Sequence, residues 1–173
     1  WWFCDDYVEL VKGRAYGGDG RWTAVPGEQY AFHTEPPIAV PARYDAGNIV
    51  NGVTRIIGGA RNQWASDPYQ ALPQWLELDL GDAKRFTAVY LTFDTDLNEK
   101  YHTVPLVPQC VRDYELAAYD DGEWRTLATV RGNFQRRRIH RFEPVTAQRL
   151  RLTVHATNGD PSARVFEMRV YGE

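Results

Sequence analysis

An all-β fold, an antiparallel sandwich or barrel, is predicted by three features of this sequence. Short segments alternate apolar and polar residues with the two-residue period of a strand; in "WLELDL" (75–80), Leu76, Leu78 and Leu80 share one face. Asp121-Gly122 stands between two such segments and is a strong two-residue hairpin signal. No segment shows a convincing 3.6-residue helical period, and turn signals recur at the spacing of short strands.

The elements follow in chain order. Residues 1–37 carry "YGGDG", "VPGEQ" and "EPP", so Gly and Pro interrupt them repeatedly, and they read as an extension or linker with one or two short strands at most. The chain opens on Trp1-Trp2-Phe3 without Met, as an excised or processed piece of a longer protein would. From residue 38 onward the signal is β. "RFTAVYLTF" (85–93) follows the Leu-alternating strand, and "DYELAAY" (113–119) and "EWRTLATV" (123–130) flank the hairpin turn. "RRIHRF" (137–142), "RLRLTVH" (149–155) and "RVFEMRVYG" (164–172) complete the set. Leu150, Leu152 and Val154 share a face of their strand, as do Phe166, Met168 and Val170 of theirs.

Composition narrows the function. At 173 residues with 43% hydrophobic and 25% charged residues, the chain is one globular domain, with or without an extension. Aromatics reach 13%, which suits sheets and surfaces that stack on ligands. A net charge of −3 gives no reason to expect nucleic acid. No apolar run approaches the roughly 18 residues of a membrane span. Cys4 and Cys110 are expected to be free thiols, and two cysteines are too few for a Cys-based structural zinc site.

Catalytic signatures are missing. There is no HExxH, GxSxG, Walker loop or strand-linked GxGxxG. His33, His102, His140 and His155 are scattered, and His140 and His155 are expected at the rim or in packing. Asp94 and Asp96 in "FDTDLN" come closest to a calcium-like run, but without its glycine and distal Glu they read as solvated loop residues.

The ordered set "AGNIVNGVTR…NQWASD…PQWLELDLG…FTAVYLTF", "VRDYELAAYDDGEWRTL" and "RLRLTVHATNG…ARVFEMRVYG" resembles the discoidin family, the coagulation factor 5/8 type C domains, and the related family 32 carbohydrate-binding modules. The resemblance covers roughly residues 38–172. It implies a galactose-binding-like jelly-roll β-sandwich over 38–173, two antiparallel sheets with about eight main strands. The wording "NIVNGVTR", "LTFDTDLN" and "ATNGDPSARVFEMRVYG" is also similar to discoidin-like domains at the C-terminal end of bacterial FAD-dependent oxidoreductases. The general family implies an extracellular or cell-surface setting; an oxidoreductase parent implies an intracellular one.

The resemblance further implies a structural Ca2+ at one end, with Asn51 and Glu167 at the matching positions and Thr54 or Asn62 adding an oxygen. Two departures stand against it. Asn51 replaces the family's Asp, and the step from Asn51 to Trp64 is stretched through "IIGGAR". Asn51-Gly52 has a competing reading as a simple turn, and alternation would expose Glu167 opposite Phe166 and Met168.

Loops at the end away from Asn51 are expected to bind a sugar or similar ligand, with Asp67, Tyr69, Tyr101, His102, Arg112, Asn158 and Arg164 as candidates. Trp64, Trp75 and Trp124 match family positions that pack in or against the core. Arg136-Arg137-Arg138 is expected to alternate across a solvated or edge strand, the alternative being contact with acidic sugars or a partner domain. The expected function is non-catalytic, most simply carbohydrate binding. The alternative is an accessory structural or docking domain of a larger FAD-dependent oxidoreductase, presenting a broad apolar patch to its neighbour.

Overall fold

In the computed structural model, residues 44–57, 62–97 and 107–172 are described. Contacts divide the chain between Ala42 and Arg43, and all described residues belong to the second unit. The expectations for residues 1–37 and Cys4 therefore lie outside the described residues, as do those for Tyr101 and His102.

The described chain is all-β apart from a short 3-10 segment, Ala46–Val50. Six strands, β1 (Trp64–Ala65), β2 (Gln74–Phe93), β3 (Val111–Asp120), β4 (Glu123–Val130), β5 (Arg137–Thr157) and β6 (Arg164–Tyr171), hydrogen-bond in the order β1-β6-β2-β5-β3-β4. All pairings are antiparallel. Segments 75–80 and 85–93 read as separate strands, yet both belong to β2, just as 137–142 and 149–155 both belong to β5.

These two long strands turn one hydrogen-bonded sheet into two leaves. Their shared register jumps from Asp79↔Arg149 to Lys84↔Ala147, and Gly81 sits in the gap with φ of +77°. Such a break bends both strands together. The first half of β2 pairs with the last half of β5, which pairs with β3 and through it β4; we call this leaf A. The second half of β2 pairs with the first half of β5 and with β6, which carries β1; this is leaf B.

The leaves face each other across an apolar core. Tyr114 on leaf A packs 5.2 Å from Phe93 on leaf B, and its hydroxyl shares a 2.9 Å hydrogen bond with the half-buried His140. His140 is thus a packing residue, as expected. On leaf A, Leu76, Leu152 and Leu116 form one row across three strands. On leaf B, Leu91 pairs with Met168 and Val89 with Val170. Full burial of each large apolar side chain contributes about 1.5–3 kcal/mol.

Local chemistry sets the strand ends. Asp120 pairs with Glu123 around a two-residue turn in which Asp121 and Gly122 both have positive φ, +47° and +86°. That is the type I′ geometry Asp-Gly favours, and its twist matches the flanking strands. Among the described residues the first half of β5 has a ladder partner only in β2, on which Arg137 pairs with Thr92 and Arg138 with Leu91.

Cys110 is buried at the start of β3 and is a free thiol. Burial, helped by the Asp94 carboxylate, raises its pKa from 9.0 to about 11. Burial likewise pushes the Tyr114 hydroxyl from 10.0 to about 12. Both groups stay neutral in the fold at a pH where the unfolded chain ionises. Their contribution is whole below the unfolded values and is lost as pH rises through about 9 and above. Melting temperature should therefore fall between about pH 8.5 and 10.5, and Cys110→Ala should make that fall less steep. Parallel slopes for both proteins would show that the thiol is not part of it.

Candidate functional site

Described loops from both leaves meet at one end of the sandwich, opposite the bends of β2 and β5, and hydrogen bonds tie them together. Ser162 Oγ donates to Ser66 O and Ala163 N–H donates to Ser66 Oγ, which joins the loop after β1 to the loop before β6. Asn158 Nδ2 donates to Cys110 O and Asn133 O, each 3.0 Å. Arg136 Nη1 donates to Phe93 O at 3.2 Å, and Nη2 donates to Thr54 O. The Asn51–Thr54 loop therefore lies at the same end as Asp67, Arg112 and Asn158. This corrects the expectation that ligand loops stand at the end away from Asn51. The cause is the bending of β2 and β5, which returns both ends of each strand to one side.

The candidate residues at this end divide by exposure. Asp67 Oδ1 accepts from Tyr69 N–H at 2.9 Å and Oδ2 from Gln70 Nε2 at 2.8 Å. Gln74 bridges the same loop, its Oε1 accepting from Asp67 N–H and its Nε2 donating to Asp67 O and Gln70 O. Tyr69 is thus held out on a cross-braced loop, 42% exposed. Arg112 is exposed beside Asp113. Asn158 faces inward to the backbone bonds given above. Arg164 is buried, with Nη2 3.3 Å from Asp160 and Nη1 3.9 Å from Asp94. Arg164 offers a ligand no open face, and the half-buried Asn158 commits its Nδ2 to two backbone carbonyls; both side chains hold the loops. Nor is Asp94 the solvated residue expected of it: it is buried, and its Oδ1 also accepts from Asp96 N–H.

The residues matched to a calcium site fit a cation poorly as placed. Asn51 Oδ1 accepts from Val53 N–H at 2.7 Å, the side-chain turn of the competing reading. Asn62 Nδ2 donates to Arg55 O. Thr54 O accepts from Arg136, whose guanidinium also lies 3.5 Å from Thr95 Oγ1 and over the Phe166 ring. A positive charge already sits where that carbonyl points. Glu167 pairs with Thr92 on β2, as alternation requires, but it is buried rather than exposed. Its Oε1 accepts from Arg169 Nε at 2.6 Å, and the 3-10 segment packs against β6. Among the described residues no group of three or more His, Cys, Asp or Glu could hold a metal ion. Calcium asks for six to eight converging oxygens.

A second surface was not anticipated. Trp75 matches a family position that packs in or against the core, yet it is 57% exposed, on the outer face of leaf A. Trp124 is half-buried there, while Trp64 does pack against the core. The Arg151 guanidinium lies 4.0 Å from the Trp124 ring and 5.0 Å from the Trp75 ring. The Arg149 guanidinium lies 4.0 Å from the Tyr119 ring. Glu77 bonds Arg151 through Nε at 2.7 Å and stands 3.7 Å from Arg149. The signal for this face was available, because the alternation that turns Leu76 and Leu78 inward turns Trp75 and Glu77 outward.

A bent antiparallel sandwich with its loops gathered at one end, braced by polar residues and presenting aromatics, is the architecture of a binding module. Comparison supplies the family. The F5/8 type C domain matches residues 39–168, and the chain belongs to that family. Among curated proteins none matches the chain. Solved structures with a similar fold include the family 32 carbohydrate-binding module of Streptococcus pneumoniae EndoD, at 22% identity and TM-score 0.59, covering 75% of this chain and 86% of that one. The family 32 module of C. perfringens NanJ, solved with galactose, has 21% identity and TM-score 0.57 over 72% and 82% of the two chains. A chitosan-binding module from a Paenibacillus sp. IK-5 chitosanase/glucanase has 19% identity and TM-score 0.59 over 76% and 87%. As an F5/8 type C domain the chain is a non-catalytic binding module, and the solved structures show the likeness of its fold. No helix among the described residues is long and apolar enough to cross a membrane.

Proposed function

We propose that this domain is a carbohydrate-binding module whose loop end presents Tyr69 to a sugar ring. The observation that carries the reading is the exposed Tyr69 ring on a loop braced by Asp67 and Gln74. A rigid aromatic offers a pyranose a flat C–H-stacking surface at low entropic cost, and preorganisation raises affinity by reducing what binding must freeze. Asp67, at the base of the loop, and Arg112 are the proposed hydroxyl partners. The galactose and chitosan ligands of similarly folded modules make neutral and amino sugars the first to try.

The test is calorimetry with the strongest ligand from a glycan array, comparing the native chain with Tyr69→Ala. The expected loss is about tenfold or more in affinity, with the variant shown to be folded by its melting curve. Equal affinity would remove Tyr69 from the site.

A specific observation also favours the docking alternative. Val50, at the end of the 3-10 segment, and Ile57, Leu97 and Phe134, outside the six strands, are exposed by 57%, 51%, 61% and 63%. Leu97 lines a cleft with Ile56 and Arg136, which has room for about one water. A domain that docks through these residues would bind no glycan and would lose its partner on Phe134→Ser and Leu97→Ser substitution.

A further inference from the structure

We propose a second saccharide site, on the outer face of leaf A and centred on Trp75, that takes a neutral pyranose. It shares the ligand class of the reading above but none of its residues, so the two can fail independently.

The face is built in register. Trp75 aligns with Thr153 and Glu115 across three strands, and Glu77 aligns with Arg151 and Ala117 one step along. Ala117 is small and buried, so the solvent-facing part of this row is formed by Glu77 and Arg151. Arg151 rests on both Trp75 and Trp124, and Glu77 fixes its guanidinium from the side. Glu115 is steadied by Thr126 Oγ1, which donates to it at 3.1 Å. Trp124 is covered by this stack, whereas Trp75 ends it and leaves more than half of its surface to solvent.

The stack explains Trp124 and Arg149 as packing. It explains only part of Trp75, whose ring takes a cation–π contact from Arg151 and still leaves more than half of the residue in water. Exposed indole beside fixed polar groups is the pattern of a stacking platform.

The charges choose the ligand. Arg149 and Arg151 on this face are set against Glu77, Asp79 and Glu115, so guanidiniums do not outnumber carboxylates. An anionic glycan or a nucleic acid would meet those acids. A protein partner would meet polar and charged side chains rather than a broad apolar patch. Hydroxyl groups both donate and accept, so a face that mixes Arg donors, Glu acceptors and the Thr153 hydroxyl suits a neutral polyol. The pyranose stacks its C–H face on the open side of Trp75 while its rim hydroxyls reach Arg151, Glu115 and Thr153.

The experiment is an NMR titration of the full chain, following the indole N–H signals, with galactose, a neutral β-linked trisaccharide and a sialylated trisaccharide. Trp75→Phe assigns the Trp75 signal. A saturable shift of that signal with a neutral sugar is expected, surviving Tyr69→Ala and high salt. Trp75→Ala should weaken the same binding by about tenfold or more, while Trp75→Phe, which keeps an aromatic ring against Arg151, should weaken it less. The proposal is overturned if the signal stays fixed with every neutral sugar at millimolar concentration, or moves only with the acidic one and loses that shift in salt. It is also overturned if the signal moves only with protein concentration, because the face would then join two copies of the chain.

Discussion

Arg164→Met is expected to cost about 3–5 kcal/mol of stability, the largest effect of any single change considered. Its guanidinium is buried between Asp94 and Asp160, whose side chains are 3% and 12% exposed. Removing the cation leaves two carboxylates with little water around them, and each must shed its charge or open the loop to solvent. Methionine fills much of the volume, so the loss reports the charge rather than a cavity. Asp94 and Asp160 lie on the loops after β2 and before β6, so the damage should centre on the loop end. The check is a urea titration of the variant, with Asp94→Asn added as partial rescue. A midpoint within error of the native protein would show that the pair contributes nothing.

Leu152→Ala is the second large effect, about 2–5 kcal/mol. Leu152 is fully buried and stands between Leu76 on β2 and Leu116 on β3. Packed on both sides within its own sheet and facing leaf B, it leaves a cavity that the rigid strands cannot close. Leu152→Met, which keeps the volume, should cost less than about 1.5 kcal/mol. Thermal melts of both variants measure the difference; equal losses would mean that side-chain shape, not volume, governs this layer.

Much of the fold was readable because its signals are local. Leu76, Leu78 and Leu80 announce a strand, and Asp121-Gly122 announces the hairpin that the structure closes with two positive φ angles. What could not be read is continuity. The "GDAK" stretch (81–84) looks like a turn between strands, yet the ladder resumes at Lys84 and both halves belong to β2. That single fact moves the Asn51 loop to the same end as the candidate ligand loops.

The site was less legible, and particular residues show why. Arg164 looks like a loop cation until folding brings Asp94 to it from a distant part of the chain. Asn158 looks like a hydroxyl-binding amide, yet its Nδ2 is engaged by Cys110 O and Asn133 O. Partners distant in sequence decide both. Trp75 was missed for another reason. Matching it to a family core position overrode the alternation that turns it outward, beside Glu77 and away from the Leu row.

The central claim is that the domain binds carbohydrate, and a glycan array probed with the intact chain tests it most directly. Selective retention of a set of neutral or amino-sugar glycans, competed by the free sugar at millimolar concentration, is the result predicted. No retained glycan across the array, with the protein shown to be folded by its melting curve, would contradict the claim and leave docking as the role of the loop end.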